Sequence, residues 1–250
     1  MKAIIIAAGM GKRMRPITNS IPKCLLDLNG KTLLGLHLET LRSCDISDIS
    51  VVKGHLADKI RLEGLRYYTN DRYEKNNILN SLFYAEKEMD DDVVIVYSDI
   101  CYRKEILEKL VSSPHRISVV VDLAWRESYA GRSDHPIEEA ENVSMGPGMK
   151  VARIGKGIDK AASDAEFIGM MKLSREACAV FKESFYLSKK NFWGKPFHEA
   201  ATFEKAYLTD MIQELVDQDI DVHCVAVSGG WKEIDTIQDY HNLRKAPALL

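Results

Sequence analysis

Three stretches of this chain, Lys2 to Ala7, Val93 to Tyr97 and Ile117 to Val121, are apolar runs without alternation, each bounded by polar residues. A strand with one wet face alternates apolar and polar residues, so unbroken runs of five or six describe strands covered on both faces. Helical spacing lies between them, in Leu33, Leu34, Leu38 and Leu41 and again in Ile78, Leu79, Leu82, Phe83 and Met89. Strand and helix in alternation predict an α/β fold of Rossmann-like form, with a mixed, mainly parallel sheet flanked by helices.

Beyond about residue 122 the segments shorten and glycine and proline accumulate, at Gly131, Pro136, Gly146, Pro147 and Gly148. Val151 to Ile154 and Phe167 to Met171 read as antiparallel strands laid across one end of the sheet, where open α/β folds bind ligands. Tyr207, Leu208, Met211, Ile212, Leu215 and Val216 predict an amphipathic helix, and Val222 to Val227 a last strand. At 250 residues and 46% hydrophobic content, with no repeat or linker in view, the expectation is one domain over 1–250.

The charge balance, 34 basic against 37 acidic residues, argues against a general nucleic-acid or membrane-surface binder, so any anion site has to be local. Five cysteines, an odd number without CxxC spacing, read as reduced core residues. The first apolar run is too short for a secretory h-region and no segment is long enough to span a membrane, which gives a cytoplasmic expectation.

The loop after the first run, Gly9-Met10-Gly11-Lys12-Arg13-Met14-Arg15-Pro16, has Met14 where a dinucleotide-binding fingerprint needs its third glycine, and the chain has no GxxxxGK[ST]. What is left is a glycine turn exposing backbone N–H groups, with Lys12, Arg13, Arg15 and Lys23 in reach, a composition suited to a triphosphate. The alternative is an ordinary βα turn with solvated charges.

Ala7-Ala8-Gly9-Met10-Gly11-Lys12-Arg13-Met14-Arg15-Pro16-Ile17-Thr18, followed by Pro22-Lys23, resembles the AAGxGxRLxPLT…PK signature of nucleotidyltransferases that make sugar nucleotides and CMP- or CDP-activated compounds. The resemblance implies that Ala8, Gly9, Gly11 and Lys12 hold the nucleotide, with Arg13 and Lys23 as catalytic cations on its phosphates. Ser98-Asp99, ending an apolar run, stands where this family has a magnesium aspartate. Trp231-Lys232-Glu233-Ile234-Asp235-Thr236 resembles the segment carrying the second, here Asp235. Without the loop, either acid reads as a turn former or helix cap. The implied cofactor is Mg2+, with 1–122 a nucleotide-binding half and 123–250 an acceptor-binding half that adds the second metal ligand.

Asn76-Asn77-Ile78-Leu79-Asn80-Ser81-Leu82 looks like the cytidylyltransferases acting on phosphocholine and phosphonates, which implies CTP, with Asn77 and Ser81 near the pyrimidine. Asn77 before an apolar helix is also a common N-cap. The stretches Trp125 to Pro136, Glu138 to Val143, Ala165 to Gly169 and Ala206 to Asp210 resemble phosphonate cytidylyltransferases, with a small antiparallel region for the acceptor. Arg126 and Arg132 have the fork geometry to grip a phosphonate dianion. Lys156 stands where relatives place a phosphate-binding lysine, and Trp193 could cover an ammonium group, helped by Glu199 or Asp210.

The expected partners are therefore CTP and a small phosphonate or phosphate-ester acceptor, with homodimerisation left open. The expected activity is transfer of CMP to 2-aminoethylphosphonate or 2-hydroxyethylphosphonate. Phosphocholine or sugar-1-phosphate transfer, or a silent nucleotide sensor, are the alternatives. His135 and His198 read as hydrogen-bonding loop residues.

Overall fold

The computed structural model describes residues 1–245. Its strands are β1 (Lys2–Ala7), β2 (Asp27–Leu28), β3 (Lys31–Thr32), β4 (Asp48–Lys53), β5 (Arg66–Thr69), β6 (Val93–Tyr97), β7 (Ile100–Tyr102), β8 (Ile117–Asp122), β9 (Asn142–Gly146), β10 (Lys150–Gly155), β11 (Ala165–Leu173), β12 (His223–Val227) and β13 (Trp231–Glu233). The helices are α1 (Leu33–Ser43), α2 (Ile78–Leu82), α3 (Lys104–Ser112), α4 (Trp125–Ser128), α5 (Arg175–Phe192), α6 (Leu208–Asp217) and α7 (Ile237–Lys245).

Nine strands form one sheet in the order β5-β4-β1-β6-β11-β8-β12-β10-β9. β5, β4, β1 and β6 are parallel neighbours, as are β8 and β12, while β10 and β11 run against the strands beside them. The sheet is mixed, with seven of its nine strands pointing one way and β10 and β11 the other, and it has helices on both faces, as the apolar runs require. Along β1, Ile4 and Ile6 enter a core shared with α2, α5 and α6, while Ala3, Ile5 and Ala7 enter one shared with α1 and α3. Period-two alternation thus sends neighbouring apolar residues into opposite cores.

Three expectations change. The Phe167 to Met171 segment belongs to β11, which lies in the middle of the sheet between β6 and β8 instead of across its end. An antiparallel strand covered on both faces carries the same unbroken apolar signature as a parallel one, so composition does not give its place. The Ile78 to Met89 pattern is a one-turn α2 followed by a 3-10 segment, and β12 is not the last strand, because β13 follows it. α5, at 18 residues the longest helix among the described residues, buries Cys178, Phe181, Ser184, Phe185 and Ser188, a stripe whose serines dilute the hydrophobic period.

The carboxyl ends of β1, β6 and β8 and the amino end of β11 share one edge of the sheet. The loop leaving β1 is fixed there by His55, whose backbone N–H donates to the Ala8 carbonyl at 3.1 Å. Gly54 makes that approach feasible, because a Cβ at this position would stand 2.6 Å from the Ala8 oxygen and 2.9 Å from the Ala8 Cβ. Gly54→Ala is therefore expected to lower unfolding stability by about 1–3 kcal/mol, read from a shifted urea midpoint at unchanged m.

Candidate active site

The loop after β1 turns at Gly11, which has a left-handed φ of 55°, and closes a single 3-10 turn (Lys12–Met14) with Met14 N–H donating to the Gly11 carbonyl at 2.9 Å. Thr18 Oγ1 donates to the same carbonyl at 2.7 Å. Gly9 faces a cavity of about 200 Å³, and a Cβ there would meet nothing within 4 Å. Ala8, Gly9, Lys23, Asn77, Ser81 and Asp99 line this cavity. A second, of about 220 Å³, shares Asn77, Ile78 and Asp99 with the first and adds Arg13, Lys156 and Asp235.

Lys23 stands at the junction. Its ammonium donates to Asp99 Oδ2 at 2.8 Å and to Asp235 Oδ1, and the Arg13 guanidinium donates to Asp235 Oδ2 at 2.5 Å. Asp99 and Asp235, far apart in the chain, meet because β7, directly after Asp99, pairs antiparallel with β13, which ends at Glu233, one residue short of Asp235. The Ile234 N–H donates to the Asp99 carbonyl at 2.9 Å and extends that ladder.

The ladder also delivers Glu233, two residues before Asp235, into the same cavity. Burial, reinforced by Asp235 and Asp99, holds the Glu233 carboxyl well above the usual range. Burial alone would raise Asp235 too, but Lys23 and Arg13 overcome it and hold Asp235 well below that range. Burial works against the Lys23 ammonium, yet Asp235 and Asp99 keep it charged beyond ordinary basic pH. His135 Nδ1 lies 3.4 Å from Asp235 Oδ2, and burial, with Arg132 nearby, lowers its pKa to about 4.

Asp99, Glu233 and Asp235 are hard oxygen donors in one place, and the Glu233 and Asp235 carboxylates and His135 can bring one ligand atom each within 4.8 Å of one another. A carboxyl whose ionisation is opposed by burial and by two like charges fits a divalent cation, which would offset that repulsion when bound.

Of the expected acceptor residues, Lys156 is in the second cavity, its ammonium 2.8 Å from Glu139. Glu199 accepts from the backbone N–H groups of Lys156 and Gly157, both at 2.7 Å, and anchors that loop. Three residues lie elsewhere. Arg126 is exposed and donates to the carbonyls of Lys160, at 2.5 Å, and Ser163, at 2.9 Å. Arg132 gives both arms of its fork to Asp239, at 2.8 and 3.0 Å, and lines a cavity beside α7 that shares Trp231 and Glu233 with the second. Trp193 is 43% exposed, with Lys189 over its ring at 5.3 Å, and lines another cavity with Arg72 and Lys75. Asp210 caps α6, accepting from Tyr207 N–H at 2.7 Å.

Among the expected nucleotide residues, Ser81 Oγ donates to the Asn77 carbonyl at 3.0 Å and accepts from Asn70 at 2.9 Å, while Asn77 Nδ2 donates to the Lys205 carbonyl at 3.1 Å. Asn77 occupies the N-cap position of α2 without a side-chain capping bond. Lys12 is exposed and lines neither cavity.

Sequence reasoning passed over Glu233, Glu141 and Glu166, all in the second cavity. Two-residue spacing from Asp235 on a strand could have found Glu233. Glu141 and Glu166 meet only through the pairing of β9 with β11, which no local pattern reveals.

The family model for the MobA-like NTP transferase domain matches residues 3–150. The chain is 29% identical to the CTP:phosphoglutamine cytidylyltransferase of Campylobacter jejuni, over 96% of this chain and 97% of that protein. It is 28% identical to the CMP-5'-(3-aminopropyl)phosphonate synthase of Streptomyces rubellomurinus, over 50% of this chain and 21% of that one. The solved structure of the CTP:phosphocholine cytidylyltransferase of Streptococcus pneumoniae superposes with a TM-score of 0.72 over 98% of both chains at 23% identity, a likeness of fold. Among the described residues no helix is long and apolar enough to cross a membrane.

Two outcomes follow from the geometry. Arg132→Ala strands the buried Asp239 and is expected to cost about 3–5 kcal/mol in denaturant unfolding. Burial raises Glu141 to about 7 and Glu166 to about 8, from 4.5. Between about pH 4.5 and 8 the folded chain therefore holds protons that the unfolded chain has lost, so these two groups make stability fall as pH rises. Glu141→Gln and Glu166→Gln are expected to flatten that fall, measured as urea midpoints from pH 5 to 8.

With the loop, the bridging lysine and the paired acids in place, the chain belongs to the MobA-like NTP transferase domain family of nucleotidyltransferases.

Proposed function

We propose that this chain is a cytoplasmic, Mg2+-dependent cytidylyltransferase that moves CMP from CTP to a small phosphate-ester or phosphonate acceptor and releases pyrophosphate. The observation that carries the reading is the junction of two cavities at Lys23, Asp99 and Asp235. One cavity runs along the Gly9 loop, with room for phosphates. The other opens beside Arg13 and Lys156, with room for an acceptor. Similarity to enzymes named for CTP supports the nucleotide, and similarity to a phosphonate synthase over half the chain supports the phosphonate option.

In this reading an acceptor oxygen, already anionic near neutral pH, attacks the α-phosphorus of CTP in line as the bond to the pyrophosphate oxygen breaks. No general base is needed. The barrier is the approach of two anions and the charge gathering on the phosphoryl oxygens. Lys23 exchanges carboxylate partners for α-phosphate oxygens, Arg13 steadies the phosphates, and Asn77 and Ser81 lie toward the base. Asp99, Glu233 and Asp235 would hold Mg2+, which supplies neutralisation of phosphate charge when bound.

The test is pyrophosphate release with CTP, UTP, dTTP and ATP against 2-aminoethylphosphonate, 2-hydroxyethylphosphonate, phosphocholine and glucose 1-phosphate. CTP with a phosphonate or phosphate ester should turn over, and EDTA should stop it. Lys23→Ala should lower kcat by about 100- to 1,000-fold, with a smaller effect on the KM for CTP. Silence with every pair would sink the reading and favour a protein that binds nucleotide without transferring it.

A further inference from the structure

The second cavity has a wall that phosphoryl transfer does not use. Six carboxylates line the cavity as a whole, those of Asp99, Glu139, Glu141, Glu166, Glu233 and Asp235, against two cations, Arg13 and Lys156. Both cations are already engaged, Arg13 with Asp235 and Lys156 with Glu139. Asp99, Glu233 and Asp235 cluster at Lys23, which leaves Glu141 and Glu166 on the β9 and β11 side. Sheet order fixes the direction: β11 follows β6, so Glu166 lies beyond Asp99 when counted from the phosphate loop on β1.

Glu166 is 4% exposed. One carboxyl oxygen accepts from the Tyr129 hydroxyl at 2.5 Å, and the other is buried with no hydrogen-bond partner. A buried carboxyl oxygen left unpaired is costly, and proteins keep such groups where a ligand completes them. Glu141 sits beside it, since its residue directly precedes the Asn142 that pairs with Glu166, and Tyr97 donates to Glu141 at 3.4 Å. Tyr97 and Phe167 meet edge to face with centroids 6.0 Å apart and bring aromatic surface to the same wall. Carboxylates beside aromatic rings suit a cationic nitrogen.

We infer that Glu166, with Glu141 and Tyr97 beside it, is the specificity site for a positively charged nitrogen at the end of the acceptor opposite its phosphoryl or phosphonyl group. The acceptor is then an amino- or ammonium-alkyl compound and not a neutral polyol. The raised pKa of Glu166 agrees with this, because a cation restores the charge that burial suppresses. This inference rests on the transferase reading of the same cleft, and a binding measurement separates the two.

Isothermal titration of the wild-type chain, with Mg2+ present, compares 2-aminoethylphosphonate with propylphosphonate, which puts a methyl group in place of the ammonium. The amine should bind about tenfold or more tightly. In Glu166→Gln that advantage should fall below about threefold while CTP affinity stays at the wild-type value, which also reports a folded nucleotide site. Equal binding of the two phosphonates by the wild type, no measurable binding of either, or an advantage that survives Glu166→Gln would overturn the inference. The wild-type comparison stands even if the variant does not fold. An amine preference without pyrophosphate release would remove the transferase reading and leave the cation site, whereas release without the preference would do the reverse.

Discussion

The Lys23 ammonium holds together groups that would otherwise repel. Asp99 is 76 residues away in sequence and Asp235 is 212, and both carboxylates reach the same nitrogen. With Glu233 beside them, three acids converge at the edge of the sheet, an arrangement that is unfavourable without a cation. Burying ions costs desolvation that their attraction barely repays, and apolar residues of similar volume commonly do as well or better for stability. A cluster of this kind is therefore poorly explained by folding alone. In the proposed reading the Lys23 cation has two sets of partners, these carboxylates and the phosphates of a nucleotide.

The support around the cluster is ordered in layers. Asp122, at the end of β8, accepts from Gly229 N–H at 2.8 Å and from the Trp231 indole at 2.7 Å, pinning the start of β13. Asp239 accepts from the backbone N–H groups of Asp235, at 3.1 Å, and Thr236, at 2.9 Å, and Arg132 holds Asp239 in turn. Arg132 therefore reaches the site two ways, through Asp239 and directly, with its guanidinium 3.6 Å from Glu233 Oε2. Positioning of this sort keeps a charged side chain within the narrow tolerance that phosphate chemistry needs.

How much of this was legible follows from how local each signal is. The three unbroken apolar runs became β1, β6 and β8, because burial on both faces is written in consecutive residues. The glycine loop, Lys23, Asp99 and Asp235 were legible because they fall within short motifs. Of the expected acceptor residues, Lys156 alone lines the second cavity. Arg126 and Arg132 had the right chemistry for a phosphonate, but an arginine in a loop serves equally well by tying down carbonyls or a carboxylate, and only the tertiary fold decides. Trp193 and Glu166 make the matching pair of errors. An aromatic residue between polar ones stood out and lies outside the cleft, while a glutamate within an apolar strand did not stand out and lines it.

In the proposed reading the two ends of the cleft would be polarised in opposite senses once a divalent cation offsets the carboxylates of Asp99, Glu233 and Asp235. Lys23 and Arg13 stand at the β1 end, and the unpaired oxygen of Glu166 stands at the β11 end, a strand beyond Asp99. A molecule with a dianion at one end and a cation at the other has one favourable orientation in such a field, its anion toward Lys23. The reverse orientation would bring anion to carboxylate at one end and cation to ammonium at the other, so the penalty arises twice. Orientation of the attacking oxygen of the proposed acceptor would then come from long-range electrostatics as well as from contact within the cavity of about 220 Å³.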